Sequence, residues 1–200
     1  MEDYKKMNLE YYGINASEYQ SLVENYVERI SNEMNLFLKT LNGKKILDLG
    51  SGPGRDSLFF KNSGFQPLCV DISKEMTRLC KDKGLTSLMM DIENPGFRDE
   101  SLDGIWAYTS LVHVPKNKIK DVLFYIHHLL KRDGIFFSGM KEGNFEGFHE
   151  SPLYGNHHRF SSLYQDSEFK LILSENFEIL SFSTTTTNKA NYLNYLCKPI

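Results

Sequence analysis

Residues 46–57 read Ile46-Leu47-Asp48-Leu49-Gly50-Ser51-Gly52-Pro53-Gly54-Arg55-Asp56-Ser57, a short apolar run, a turn with three glycines and the opening of a helical stretch. Residues 44–48 have the composition of a buried strand, and 55–63 that of a helix closed by Gly64. In an open α/β sheet ligands bind beyond the carboxyl ends of the strands, where strand order reverses, and the first strand-to-helix turn lies there. Glycines admit positive backbone dihedrals and let a ligand approach the main chain closely. A dinucleotide fingerprint wants a glycine or alanine three residues after the second glycine, and Arg55 stands there instead. No Gly-Lys-Ser/Thr closes the turn, so it is not a Walker phosphate loop either.

The same alternation continues outward from this turn. Strand-like runs at 66–70, 85–90, 104–108 and 135–140 are separated by helical stretches, one N-capped by Ser73 and stopped by Gly84, another over 116–131 closed by Asp133-Gly134. Strands alternating with helices predict right-handed crossovers and a parallel, doubly wound sheet. At the end of the chain the rhythm breaks. Runs at 177–183 and 192–198 are joined too closely for anything but antiparallel neighbours. Upstream, Leu22, Val23, Tyr26, Val27, Ile30, Met34, Phe37 and Leu38 recur at spacings of three and four within 15–41, as an amphipathic helix or a broken pair of helices requires. One α/β domain over 1–200 results, with a helical cap at 1–42, a core at 43–140, an acceptor-side insertion at 141–170 and a C-terminal helix end and hairpin at 171–200.

Composition narrows the partners. Among 200 residues, 23 Lys and Arg face 26 Asp and Glu, a net charge of −3. No overall basic field draws the chain to nucleic acid or anionic lipid, which leaves a small-molecule or protein partner and a monomer or homodimer as the expectation. Met1-Glu2-Asp3-Tyr4-Lys5-Lys6 is not a secretory signal, and no apolar run reaches the roughly 18 residues a membrane span needs. Cys69, Cys80 and Cys197 are odd in number and widely spaced, without a CxxC pair, so a cytoplasmic chain with buried thiols is expected. The histidines and glutamates of 146–159, among them His149, His157 and His158, show no tight ligand spacing such as HExxH, and no metal is expected.

Two carboxylates give the glycine turn a sharper meaning. Asp71 ends the second strand about twenty residues beyond the glycines, where a carboxylate can accept both hydrogen bonds of a ribose diol. Asp91 ends the third, where it can accept from an exocyclic adenine amine while Ile72 and Ile92 sandwich the ring. Capping of a loop or helix is the alternative role for both aspartates.

At these residues the sequence resembles the class I S-adenosylmethionine-dependent methyltransferases. Residues 46–57 look like their motif I, Val70-Asp71-Ile72-Ser73-Lys74-Glu75-Met76 like the acidic-strand motif, and Met90-Asp91-Ile92 like the adenine-contacting motif. Gly104-Ile105-Trp106-Ala107 is similar to the fourth-strand motif, and Leu129-Leu130-Lys131-Arg132-Asp133-Gly134-Ile135 to the turn before the fifth strand, with Arg132 and Asp133 substituted. The resemblance implies a Rossmann-like sheet of seven strands ending in an antiparallel hairpin, with S-adenosyl-L-methionine as cofactor. It implies that Gly50 and Gly52 face the methionine portion, Asp71 the ribose and Asp48 the amine. Ser51, Arg55, Met76, Ala107 and Tyr108 complete that shell. In the subgroup with Gly-Arg-Asp after motif I, an N-terminal segment closes over the methionine end, which would recruit Tyr11, Tyr12 and Tyr19; the three tyrosines equally suit ordinary packing.

Methyl transfer from a sulfonium is an in-line displacement, in which alignment and exclusion of water do much of the catalysis. A base is needed only where the acceptor atom must lose a proton. His113, just after the fourth strand, is the candidate catalytic base, and a structural histidine bound to a backbone carbonyl is the alternative. Lys141, Glu142, Arg159 and Tyr164, with Tyr12 and His113, are the expected clamp for a polar or zwitterionic acceptor. The Asp/Asn-Pro-Pro-Tyr signature of nucleobase amino-methyltransferases is absent after the fourth strand. A small-molecule acceptor taking the methyl on nitrogen or oxygen is therefore expected, ahead of RNA or protein methylation and of a non-catalytic S-adenosylmethionine-binding partner or sensor.

Overall fold

The central strands are apolar on both faces because both are covered. A computed structural model describes residues 1–24, 27–150, 158–188 and 190–200, so Tyr26 and His157 lie outside the described residues. Strands β1 (Lys45–Leu49), β2 (Gln66–Asp71), β3 (Thr86–Met89), β4 (Leu102–Tyr108), β5 (Leu130–Lys141), β8 (Phe177–Thr186) and β9 (Asn191–Pro199) form one sheet in the order β3-β2-β1-β4-β5-β9-β8. The first five are parallel, whereas β9 runs antiparallel to β5 and to β8. The expected seven-stranded doubly wound sheet with its C-terminal hairpin is what forms. Strand order reverses between β1 and β4, and the glycine turn opens there.

β4 separates the two cores by strand periodicity. Ile105 and Ala107 face one cluster under α6 (Ile119–Leu129) and α7 (Asp166–Leu173). Trp106 faces the other, under α3 (Val27–Thr40) and α4 (Arg55–Asn62), stacked on Phe137 with ring centroids 4.0 Å apart. Ser73 caps α5 (Lys74–Asp82) as predicted, its hydroxyl accepting from Met76 N–H.

Three elements were not expected. Helix α1 (Asp3–Ile14) lies within the expected cap but ahead of the 15–41 periodicity, whereas α2 (Ala16–Val23) and α3 are the broken pair that periodicity allows. The buried face of α1 is Tyr4, Asn8 and Tyr11, so its middle position is polar and the apolar period is hidden. Residues 143–160, expected as a polar loop, hold a hairpin of β6 (Glu146–Glu150) and β7 (His158–Ser162), and Asn8 Oδ1 accepts from Phe160 N–H of β7 at 2.8 Å. The helix predicted to reach residue 131 ends at Leu129, because Leu130 already pairs with Leu102. Among the described residues no helix is long and apolar enough to cross a membrane.

Candidate active site

The β1–α4 turn is held open by backbone bonds and shaped by glycine. Gly50 N–H and Ser51 N–H both donate to Val70 O at 2.9 Å. Gly50 has φ +75°, and a Cβ there would stand 2.4 Å from Ser110 Cβ, so the position admits glycine alone. Asp71, at the end of β2, accepts from Gly52 N–H at 2.9 Å and from Ser73 N–H at 2.8 Å. Burial pushes its carboxyl up to about 6, although these two N–H groups pull the other way.

A cavity runs along these groups. Asp48, Gly50, Ser51, Gly52, Arg55, Asp71, Ile72, Met76, Asp91, Ile92, Tyr108 and Tyr19 all line it, so most of the predicted cofactor shell converges. Lys5, Tyr4 and Glu93 line it too and were not foreseen. Lys5 Nζ stands 2.8 Å from both Asp91 and Glu93, Lys118 bridges Glu93 and Glu2, and Tyr4 donates to Glu93. Helix α1 is thereby pinned over the far end of the cavity.

The floor carries charges that are internally satisfied. Arg55 donates from Nε and a terminal nitrogen to Asp56 at 2.5 and 2.9 Å, while Trp106 Nε1–H donates to the same carboxylate at 2.8 Å. Asp48 accepts from Ser57 at 2.7 Å, and burial, reinforced by Asp56, raises its pKa well above the carboxylate range.

A second cavity of about 410 Å³ adjoins the first and shares Tyr12, Tyr19, Arg55, Tyr108, Thr109 and His113 with it. Lys141, Arg159, His149 and Tyr192 line its far side. The Phe160 carbonyl lies 2.9 Å from His113 Nδ1 and can only accept, so Nδ1 carries the proton. His113 Nε2, 2.9 Å from the Tyr12 hydroxyl, then accepts from it. Burial first, and the nearby Arg159 charge second, lower the His113 pKa to about 4, so the ring is neutral at pH 7. Arg159 donates to the Tyr12 hydroxyl at 3.1 Å, and its guanidinium lies 5.4 Å from the Tyr11 ring centroid.

Four predicted residues do not reach either cavity. Ala107 is in the core below β4, on the face opposite Tyr108. Tyr11 is buried edge-on beneath Tyr12 at 5.0 Å. Tyr164 is buried against Phe169, with Lys116 over its ring at 4.5 Å. Glu142 accepts from the Asn191 side chain at 2.9 Å. Phe145 and Tyr192, which do line the second cavity, were not singled out, and His149, which lines it too, was weighed only among the histidines of a metal reading; His149 and Phe145 come from the unforeseen hairpin region and Tyr192 from the last strand.

Residues 46–134 match the family described as a methyltransferase domain. An uncharacterized protein of Methanocaldococcus jannaschii, MJ1252, is 30% identical over 135 residues, which are 66% of this chain and 51% of that protein, so the chain spans about half the relative's length. Two solved structures share the fold. The 1,6-didemethyltoxoflavin-N1-methyltransferase of Burkholderia thailandensis, with bound 1,6-didemethyltoxoflavin and S-adenosylhomocysteine, has a TM-score of 0.79 at 18% identity, over 98% of this chain and 89% of that one. The magnesium protoporphyrin IX methyltransferase of Synechocystis PCC 6803, with bound S-adenosylhomocysteine, has a TM-score of 0.80 at 14% identity, over 99% and 100%. Residues 46–134 are thus similar to a methyltransferase domain, and the chain shares the fold of these two methyltransferases.

Proposed function

We propose that the protein transfers the methyl group of S-adenosylmethionine to nitrogen or oxygen of a small molecule. The observation that carries this reading is the shared wall: a cavity built on the glycine turn opens onto a second, separate chamber. The residues of the first cavity fit the cofactor. Gly50 and Gly52 leave room for its methionine end, Asp71 keeps acceptor capacity for a ribose diol beyond its two backbone bonds, and Asp91 with Ile72 and Ile92 suits adenine. When bound there, the cofactor would supply an electrophilic methyl carbon on a sulfonium.

The chain's own part is alignment and exclusion of water. Helix α1 covers the first cavity, and Tyr12, fixed by His113 and Arg159, stands where the two meet. Neutral and already accepting from Tyr12, His113 serves in this reading as the anchor of that tyrosine, and a proton on the acceptor atom leaves to water. Titration calorimetry tests the reading: S-adenosylmethionine and S-adenosylhomocysteine bind, NAD does not. Failure of both sulfur compounds to bind overturns it.

A further inference from the structure

The charges around the second cavity sort themselves once their partners are traced. Arg55 is neutralised by Asp56. His149 is within hydrogen-bond distance of the Ser161 hydroxyl at 3.0 Å and of the Glu150 carbonyl at 3.2 Å, and burial keeps its pKa below the usual histidine value. Two cations remain, Lys141 and Arg159, and neither forms an ion pair with a carboxylate among the described residues. No Asp or Glu lines this cavity, whereas Asp48, Asp56, Asp71, Asp91 and Glu93 line its neighbour. Residues 25–26, 151–157 and 189 contain no Asp or Glu either, so no carboxylate of those segments is available to pair with them.

We infer that the acceptor carries an oxyanion, carboxylate or phosphoryl, seated between Lys141 and Arg159; the inference rests on the methyltransferase reading for the word acceptor, and on these two residues for the charge. Arg159 is already oriented, with one terminal nitrogen on Tyr12 and its Nε buried with no hydrogen-bond partner among the described residues. A guanidinium offers five donors in a planar fork that matches an oxyanion. Burial lowers the Lys141 pKa, and the Arg159 charge lowers it further, as two cations facing one space must. An unpaired, partly buried cation is unfavourable, and an entering oxyanion relieves two at once. Part of the remaining wall is aromatic: Tyr108 and Tyr192 lie nearly parallel at 25° with centroids 6.2 Å apart, and Phe145 lines the same chamber. At about 410 Å³ the space falls at the small end of the roughly 300–1,000 Å³ range of ligand pockets, which suits a small planar anion. Of the polar or zwitterionic acceptors expected from the sequence, the zwitterion loses support, because Glu142, the carboxylate of that clamp, accepts from Asn191 instead.

The test uses the whole protein saturated with S-adenosylhomocysteine and three probes sharing one ring: benzoate, benzamide and benzylamine. Phenyl phosphate, run beside benzoate, separates a phosphoryl preference from a carboxylate one. By titration calorimetry or ligand-observed NMR, at least one of the two anions binds about tenfold or more tighter than benzamide, as charge-assisted bonds require, and benzylamine is weakest. Lys141→Gln removes most of that gap while S-adenosylhomocysteine affinity stays within about twofold, since Lys141 does not line the first cavity. Arg159→Lys, which keeps the charge and loses the fork, narrows it less. Benzamide or benzylamine binding as tightly as the anions, a gap that survives Lys141→Gln, or no binding by any probe overturns the inference. Should S-adenosylhomocysteine itself fail to bind, the methyltransferase reading falls, and the same series on the free protein still decides the anion site.

Discussion

The two cavities meet at one wall and are built on opposite electrostatics. The first is lined by five carboxylates and closed by a lysine from α1; the second, among the described residues, has no carboxylate and two cations without an ion-pair partner. Their construction differs as much as their charge. The first is made where consecutive strands β1, β2 and β3 end, each handing two or three residues to it from the turn that follows. The second is assembled from α1, α2, β5, the β6–β7 hairpin and β9, which are distant in the chain. A cofactor site tied to strand ends is set by the fold, and an acceptor site made of appended pieces is free to vary around it.

Asp56 stands at the boundary and offers the largest way to break this division. It neutralises Arg55, which lines both cavities, and accepts from the buried Trp106 indole. Asp56→Ala leaves a buried guanidinium and an indole N–H unpaired at once. A loss of about 3–5 kcal/mol of unfolding free energy is expected, read from the shift of the denaturant midpoint. A loss below about 1 kcal/mol would show that Arg55 finds another partner, and that the shared wall is not held by this pair.

The contrast also explains what was legible in the sequence. Gly50, Gly52, Asp71 and Asp91 were readable because each sits at a fixed place in a strand–turn–helix unit, so local pattern and tertiary position coincide. The seven-stranded sheet and its hairpin were readable for the same reason. Helix α1 as a separate element was not, since Asn8 occupies the centre of its buried face and its Oδ1 accepts from Phe160 N–H, 152 residues away in sequence. Lys141 and Glu142 were proposed together as neighbours, yet adjacent residues at a strand end point to opposite sides, and only Lys141 reaches the cavity. Tyr164 was expected to be polar and accessible; its ring instead fills the core between Lys116 and Phe169.

Asp71 sharpens the comparison from the first cavity's side. Its carboxyl titrates at about 6 in the free protein, so the ionised form that accepts from a diol prevails above that pH and is lost as pH falls through it. S-adenosylhomocysteine affinity of the wild type should therefore weaken between pH 7 and pH 5, whereas Asp71→Asn should be weaker throughout and nearly flat with pH. At pH 7.5 the variant is expected to lose about 1–3 kcal/mol of binding free energy, roughly ten- to a hundredfold in Kd by calorimetry. Benzoate affinity at Lys141 and Arg159 should not follow this titration. A common pH profile for both ligands would mean that the two cavities are coupled electrostatically across the shared wall.

The smallest effect is expected at Lys5, the one cation that closes the carboxylate-rich cavity. Its ammonium bridges Asp91 and Glu93 at 2.8 Å each and ties α1 to the loop after β3, while Asn8 ties the same helix to the β7 strand on the acceptor side. Lys5→Met removes the ion pairs of the first tie and leaves Tyr4 on Glu93 and the second tie in place, so α1 should stay docked by its tyrosines but lift more readily at its N-terminal end. Partly exposed ion pairs are worth roughly 0.5–1 kcal/mol, which corresponds to about a two- to fivefold faster dissociation of S-adenosylhomocysteine by stopped flow. Because the tie is ionic, added salt should speed release from the wild type toward the variant's rate. Unchanged release in Lys5→Met at low salt would assign the closure of the first cavity to Tyr12 and Tyr19 instead, and would make the cap a feature of the shared wall.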